Sequence, residues 1–121
     1  MNFITIRLPA ESRVLLLEDS PMRIAWFAKR VPNLTVVSTV QAFKDYLAGH
    51  PICDFIFFDH DLGEGAGTGL EAAQYLKDAF GGNTDAGLIH TWNSAGAKAM
   101  QAVLQRVPYV PFGQFEVEVE Q

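Results

Sequence analysis

Two stretches of this chain, Val14 to Leu17 (VLLL) and Phe55 to Phe58 (FIFF), are four-residue runs without a polar side chain. A run that short and that apolar reads as a strand buried on both faces. Such strands belong to parallel sheets covered by helices on either side. Leu34 to Val37 and Gly87 to His90 read as further short strands, and Val107 to Phe112 reads as a fifth, bent by Pro108 and Pro111. Between the runs, apolar residues recur at helical spacing. Ser20-Pro21 is a helix start, with Ser20 as N-cap, and Ile24, Phe27 and Ala28 carry the helix to about Arg30. Ser38 or Thr39 caps a second helix bearing Val40, Phe43 and Leu47, which ends at Gly49-His50-Pro51. Gly63 to Gly69 is expected to be a loop. Leu70 to Phe80 follows as a helix closed by Gly81-Gly82-Asn83, and Ala95 to Gln105 is the last helix. Strand and helix thus alternate, which predicts a doubly wound α/β fold. Folds of this class bind ligands outside the carboxyl ends of their strands.

The two ends of the chain break the pattern. Phe3 to Leu8 (FITIRL) and Phe115 to Glu120 (FEVEVE) alternate with period two, as half-exposed strands do. Two outcomes are open: a local hairpin-like ribbon between them, or an edge that pairs with a second copy of the chain in a homodimer. The 121 residues are read as one domain over residues 1–121, with its core at about 13–113. The formal charge of −5 and the absence of a Lys/Arg-rich run argue against an extended nucleic-acid surface. A nucleotide or an RNA end in a metal-lined pocket remains compatible, because a cation can supply the positive charge. The single cysteine, Cys53, reads as a small apolar residue. No stretch approaches membrane-spanning length and the first residues lack a signal-peptide core, so a cytoplasmic protein is expected.

The strand ends carry the chemistry. The first buried run ends in Glu18-Asp19, the FIFF run in Asp59-His60-Asp61, and the next strand in His90-Thr91, followed by Trp92-Asn93. A doubly wound sheet brings these together at one rim. Gathered carboxylates repel one another, and a hard divalent cation between them offsets the repulsion. Oxygen donors suit Mg²⁺, Mn²⁺ or Ca²⁺. Each group also has an ordinary reading: helix start, turn former, surface histidine, or a hydrogen-bonded core histidine at His90. Arg23 stands four residues after Asp19 and fits either a helix-face ion pair or a reach to a bound phosphate. Trp26 reads as packing, and Trp92 is open between packing and stacking.

VLLLEDS followed by a helix, and then DFIFFDHDL, resembles the receiver domain of response regulators. In receivers an acidic pair holds Mg²⁺ and an aspartate after the third strand accepts a phosphoryl group. Glu18 and Asp19 match the pair, Asp59 the acceptor, and Thr91 the hydroxyl position. The usual lysine is missing: Val110 stands in its place, in VPF. A narrower resemblance covers Val14 to Gly113. LLLEDSPMRIAWF, FFDHDLGEGAGTGLEAAQYL, IHTWNSAGAKAM and VPFG are similar to the cyclic-phosphate processing receiver domains, with Thr91 where serine is usual and Trp92 in a variable place. That resemblance implies a flavodoxin- or receiver-like three-layer sandwich, with the strand-like ends in place of a clear last helix. It implies chemistry on cyclic phosphate ends of RNA or nucleotides.

The expectation is therefore metal-dependent hydrolysis of a cyclic phosphate. Glu18, Asp19 and Asp59 would hold Mg²⁺ or Mn²⁺. Asp59, His60 and His90 are the catalytic candidates, the histidines as acid or base. Thr91, Asn93 and Arg23 would bind phosphate oxygens, and Asp61 would orient His90 or support the site from behind. Two other classes stay open: a phospho-accepting receiver modified at Asp59, and a non-catalytic module that binds a phosphorylated ligand or a protein.

Overall fold

The computed structural model describes residues 4–50, 53–81 and 86–120. Ten elements follow in order: β1 (Ile4–Leu8), β2 (Val14–Leu17), α1 (Pro21–Arg30), β3 (Leu34–Val37), α2 (Val40–Gly49), β4 (Phe55–Phe58), α3 (Gly69–Phe80), β5 (Gly87–Ile89), α4 (Ser94–Val103) and β6 (Phe115–Val119). The apolar runs form a four-stranded parallel sheet in the order β3-β2-β4-β5. The chain reverses its winding direction between β3 and β4, so the carboxyl ends of β2 and β4 border a crevice at that point.

Every strand of this sheet feeds side chains to both faces. Leu15, Leu17, Ile56, Phe58 and Ile89 pack with Phe43, Leu47, Ala73, Leu76, Ala97 and Met100 of α2, α3 and α4. Val14, Leu16, Phe57 and Leu88 face the other way, against Phe27 of α1 and Phe115 and Val117 of β6. Alternation of side chains along a strand means that an all-apolar run must be covered twice.

The helices begin where capping chemistry places them. Ser20, Thr39, Thr68 and Asn93 each accept a backbone N–H with the side-chain oxygen, from Arg23, Ala42, Glu71 and Gly96. Thr39, rather than Ser38, caps α2; Ser38 instead donates to the Glu18 carbonyl at 2.9 Å. α3 starts at Gly69, within the expected loop, and ends with Gly81 in the left-handed conformation. The expected breaks at Pro51 and at Gly82-Asn83 lie outside the described residues, as does Phe3. Among the described residues no helix is long and apolar enough to cross a membrane.

Two expectations need correction. Residues 107–112 are not a full strand. They make one parallel bridge, Ile89 to Tyr109, where Ile89 donates to Pro108 and Val110 donates back to Ile89. Phe112 also donates to the His90 carbonyl at 2.8 Å. Pro111 falls between the two inward donors, where no N–H is required, but it stops a longer ladder. The terminal segments do pair, yet in parallel rather than as a hairpin: Ile4 faces Phe115 and Leu8 faces Val119. The whole domain separates them in sequence, so no tight turn sets their direction. This two-stranded ribbon lies on the α1 face of the large sheet, where its buried residues Leu8, Phe115 and Val117 complete the second core.

Candidate metal and phosphate site

The crevice at the carboxyl ends of β2, β4 and β5 is a cleft of about 330 Å³, lined by residues that include Glu18, Asp19, Arg23, Asp59, Thr91 and Trp92. Its floor is acidic and buried. Glu18 and Asp59 are buried, and so are His90 and Thr91. A carboxylate oxygen of Glu18, one of Asp59 and a ring nitrogen of His90 all lie within 4.8 Å of one another.

The groups on this floor are not equivalent. The Glu18 Oε2 atom accepts from the Asp19 and Ser20 amides at 3.1 Å each, and Oε1 is 2.8 Å from His90 Nε2. Burial alone would raise its pKa. The hydrogen bond and charge of His90, with the Ser20 amide, outweigh that and hold Glu18 below its ordinary value. Asp59 has less support. Burial and the neighbouring Glu18 charge push it up to about 7, against smaller opposing contributions from the His60 amide and the Thr91 hydroxyl. Two buried carboxylates that resist sharing one space are a donor set for a hard divalent cation. The Arg23 guanidinium marks where positive charge belongs: Nη1 lies 3.6 Å from Glu18 Oε1 and 3.9 Å from Asp59 Oδ1, with its side chain only 12% exposed. In these respects Glu18 and Asp59 fit the metal that a receiver fold implies. The Arg23 charge also sits near Asp59 although the receiver lysine is absent. Val110, in the lysine place, packs instead against the second core.

Asp19 parts from its neighbour: it is exposed, and its Oδ2 lies 3.2 Å from where a Cβ on Gly63 would stand. It lines the cleft but stands outside the buried cluster.

His90 is fully buried among the rings of Phe27, Phe57 and Phe112. Nε2 is committed to Glu18, and Nδ1 has no hydrogen-bond partner. Burial holds the imidazole pKa down, against the hydrogen bond and charge of Glu18. A ring carrying a single proton would hold it on Nε2, leaving only a lone pair unmatched on Nδ1, the cheaper of the two mismatches. His90 is not among the residues that line the cleft; its Nε2 contact is with Glu18, and it belongs to the buried cluster with Asp59.

His60, Asp61 and Asn93 form a second cluster. His60 Nδ1 is 2.8 Å from Asp61 Oδ1, and Asn93 Nδ2 donates to both Asp61 oxygens at 3.3 and 3.4 Å. These bonds hold Asp61 below its ordinary pKa, against a small cost of burial. The expectation that Asp61 orients His90 is thus corrected, because its partner is the adjacent histidine. Asn93 is also more committed than expected: its Oδ1 caps α4 through the Gly96 amide at 2.9 Å. Thr91 lines the cleft, and its Oγ1 accepts from the Asn93 amide at 3.1 Å.

Two glycines that reasoning from residue types left as loop and helix filler shape this site. A Cβ on Gly69 would lie 2.0 Å from the Asp59 carbonyl oxygen, and one on Gly96 would lie 2.6 Å from the His60 ring. The backbone at Asp59 and the His60 imidazole rest on these two bare positions. The signal available in the sequence was the placement of each glycine in the first turn after a capping residue, Gly69 directly after Thr68 and Gly96 three residues after Asn93.

Solved structures with this fold include a two-component response regulator of the LuxR family from Aurantimonas sp., 23% identical over 84% of this chain and 74% of that one, with a TM-score of 0.61. The RcsB response regulator of Salmonella typhimurium is 19% identical over 92% of this chain and 53% of that one, with a TM-score of 0.53. A fusion with the yeast Spc42 trimeric coiled coil is 20% identical over 88% of this chain and 71% of that one, with a TM-score of 0.67. No curated protein sequence matches the chain. At these identities the likenesses concern the fold. The sequence profile described as the cyclic-phosphate processing receiver domain matches residues 13–106, and the chain belongs to that family.

Proposed function

We propose that this protein hydrolyses a cyclic phosphate on a nucleotide or RNA end, with Mg²⁺ or Mn²⁺ held by Glu18 and Asp59 and approached by Asp19. The carrying observation is the pair of buried carboxylates under an open cleft, with the Asp59 charge incompletely neutralised by Arg23. A divalent ion bound there would polarise the phosphate and acidify a water. Arg23 and Thr91 would bind phosphate oxygens, a role supported by their positions in the cleft lining. His90 keeps Glu18 ionised and oriented from behind. His60, with Nδ1 fixed by Asp61, is the acid–base candidate. In the reaction a water oxygen bonds to phosphorus, its proton passes to the base, and one ring P–O bond breaks. The leaving oxygen then takes up a proton.

The test is ³¹P NMR of nucleoside 2′,3′-cyclic phosphates with Mg²⁺, with Mn²⁺ and with chelator. Metal-dependent ring opening that Asp59→Asn abolishes is expected. No turnover by the wild-type protein with either metal removes this reading for these substrates. A second reading, phosphoryl acceptance at Asp59, draws support from Arg23 beside that carboxylate. Exposure to acetyl phosphate and Mg²⁺ would then add about 80 Da by intact mass, a shift absent in Asp59→Asn.

A further inference from the structure

The cleft has an acidic floor and an apolar lip. Among the described residues the exposed large apolar side chains are Ile4, Met22, Val36 and Trp92, and two of these four, Met22 and Trp92, line this cleft. Met22 lies in the first turn of α1, and Trp92 follows β5. Trp92 is 66% exposed, yet it is not loose. Its Nε1–H donates to the Phe112 carbonyl at 2.8 Å, and the Arg23 guanidinium lies 4.3 Å from its ring centroid. Phe112 is tied in turn to the His90 carbonyl. An indole covered by a cation on one face and hydrogen-bonded at its edge stays two-thirds exposed only if its other face is open.

A rigid aromatic face backed by a cation, with a thioether lining the same cleft, suits a flat π-system. Arg23 belongs to both halves of the cleft. Its Nη1 lies beside the carboxylates and its Cζ over the indole, which couples the phosphate end of a ligand to its planar end. From this arrangement we infer that Trp92 is a stacking platform for a nucleobase, with Met22 as the facing contact, so the cleft selects base-bearing phosphates over base-free ones. This deepens the reading of the cleft as a cyclic-phosphate site and rests on it for the phosphate end of the ligand.

Calorimetric titrations with Mg²⁺ would compare a nucleoside 2′,3′-cyclic phosphate, glycerol 1,2-cyclic phosphate and a nucleoside monophosphate. The expected result is a preference for the base-bearing cyclic phosphate that falls roughly tenfold in Trp92→Ala, since one base–aromatic stack carries about that much. Trp92→Phe should restore most of the preference. A merely structural Trp92, acting by placing Arg23, would weaken base-bearing and base-free ligands alike. In ¹H–¹⁵N spectra the Trp92 indole resonance, assigned with Trp92→Phe, should shift with the base-bearing ligand far more than with glycerol cyclic phosphate. Equal affinity for the two cyclic phosphates, equal losses in Trp92→Ala, or no nucleotide-dependent indole shift would each overturn the inference. Trp92-dependent binding of the monophosphate without turnover of any cyclic phosphate would uphold the platform and remove the hydrolytic reading alone.

Discussion

Asp59 shows how one carboxylate can set the conditions under which a fold is stable. In the metal-free protein it is pushed up to about 7 by burial and by Glu18, against an unfolded value near 3.8. A group raised on folding contributes stability that is complete below the unfolded pKa and is lost as pH rises through the folded one. The loss approaches about 4 kcal/mol above pH 8. Buried His90 acts in the opposite sense, because its pKa is lowered and its contribution fades as pH falls. Wild-type stability alone therefore mixes the two. The clean quantity is the difference between Asp59→Asn and wild type. That difference should grow in favour of the variant as pH rises from about 4 through 7, measured by urea unfolding with chelator present. A difference independent of pH would show that Asp59 carries its charge at no cost. His90→Ala tests the partner: it leaves Glu18 buried without the imidazole hydrogen bond to Oε1, and the loss expected is about 3–5 kcal/mol at pH 7. A loss near zero would mean that Glu18 does not need its imidazole.

At the level of elements, the strand-to-helix connections place the chemistry. Asp59 leaves β4, and the loop after it is closed by a bridge between Asp61 and Thr68 and by the Gly69 amide donating to the His60 carbonyl at 2.8 Å. The start of α3 thereby presses on the backbone at the catalytic candidate. Gly69→Ala puts a methyl into the Asp59 carbonyl, so it should cost about 2–3 kcal/mol and weaken Mn²⁺ binding together. Gly96→Ala strikes the His60 ring instead. It should keep Mn²⁺ affinity close to wild type while lowering turnover of a cyclic phosphate. Calorimetry with Mn²⁺ and ³¹P rates on the two variants separate these outcomes. Equal loss of metal affinity in both would mean that the two clusters of the site are not independent. The starts of α1 and α2 were legible beforehand, because Ser20 and the pair Ser38-Thr39 have capping chemistry at the right places, whereas the cap Thr68 was hidden within an expected loop. The commitment of Asn93 to a cap was not legible either, since an asparagine beside a strand end fits a ligand group equally well.

For the molecule as a whole, the feature that departs from simple alternation is the β1–β6 ribbon on the α1 face. It covers the second core with strands rather than with another helix. Arg30, in the last turn of α1, ties this layer down. Its guanidinium bonds to the Glu116 carboxylate of β6 and to the Trp26 carbonyl, and stacks 3.9 Å from the Trp26 ring centroid. The Arg30 hydrogen bond, together with the Val117 amide and the Arg30 charge, holds Glu116 below its ordinary pKa, against slight burial. Arg30→Ala should lower stability by about 1 kcal/mol, a modest figure because both partners remain partly exposed. It should also speed amide exchange in β1 and β6 before the central strands. Exchange that quickened uniformly would show that the ribbon unfolds only with the rest.

Hydrophobic patterning determined that β2 and β4 are two-sided parallel strands, and the doubly wound alternation that Glu18 and Asp59 meet at one rim; the central position of both strands came from the tertiary structure. A four-residue apolar run has few other places to go, and the crossover rule places its end at the crevice. Pairing of the terminal segments was also readable, because period-two alternation marks a half-buried strand. The parallel direction of that pairing was decided by tertiary structure, since no turn joins two strands separated by the whole domain. So was the division of labour between the histidines. His60 and His90 each follow the end of a strand, and their local sequences, Asp59-His60-Asp61 and Ile89-His90-Thr91, do not say which ring is enclosed. Only packing shows that His90 is enclosed by Phe27, Phe57 and Phe112 while His60 rests on Gly96 at the rim. Burial depends on residues distant in the chain, and it is burial that encloses one imidazole behind Glu18 and leaves the other near the mouth of the site.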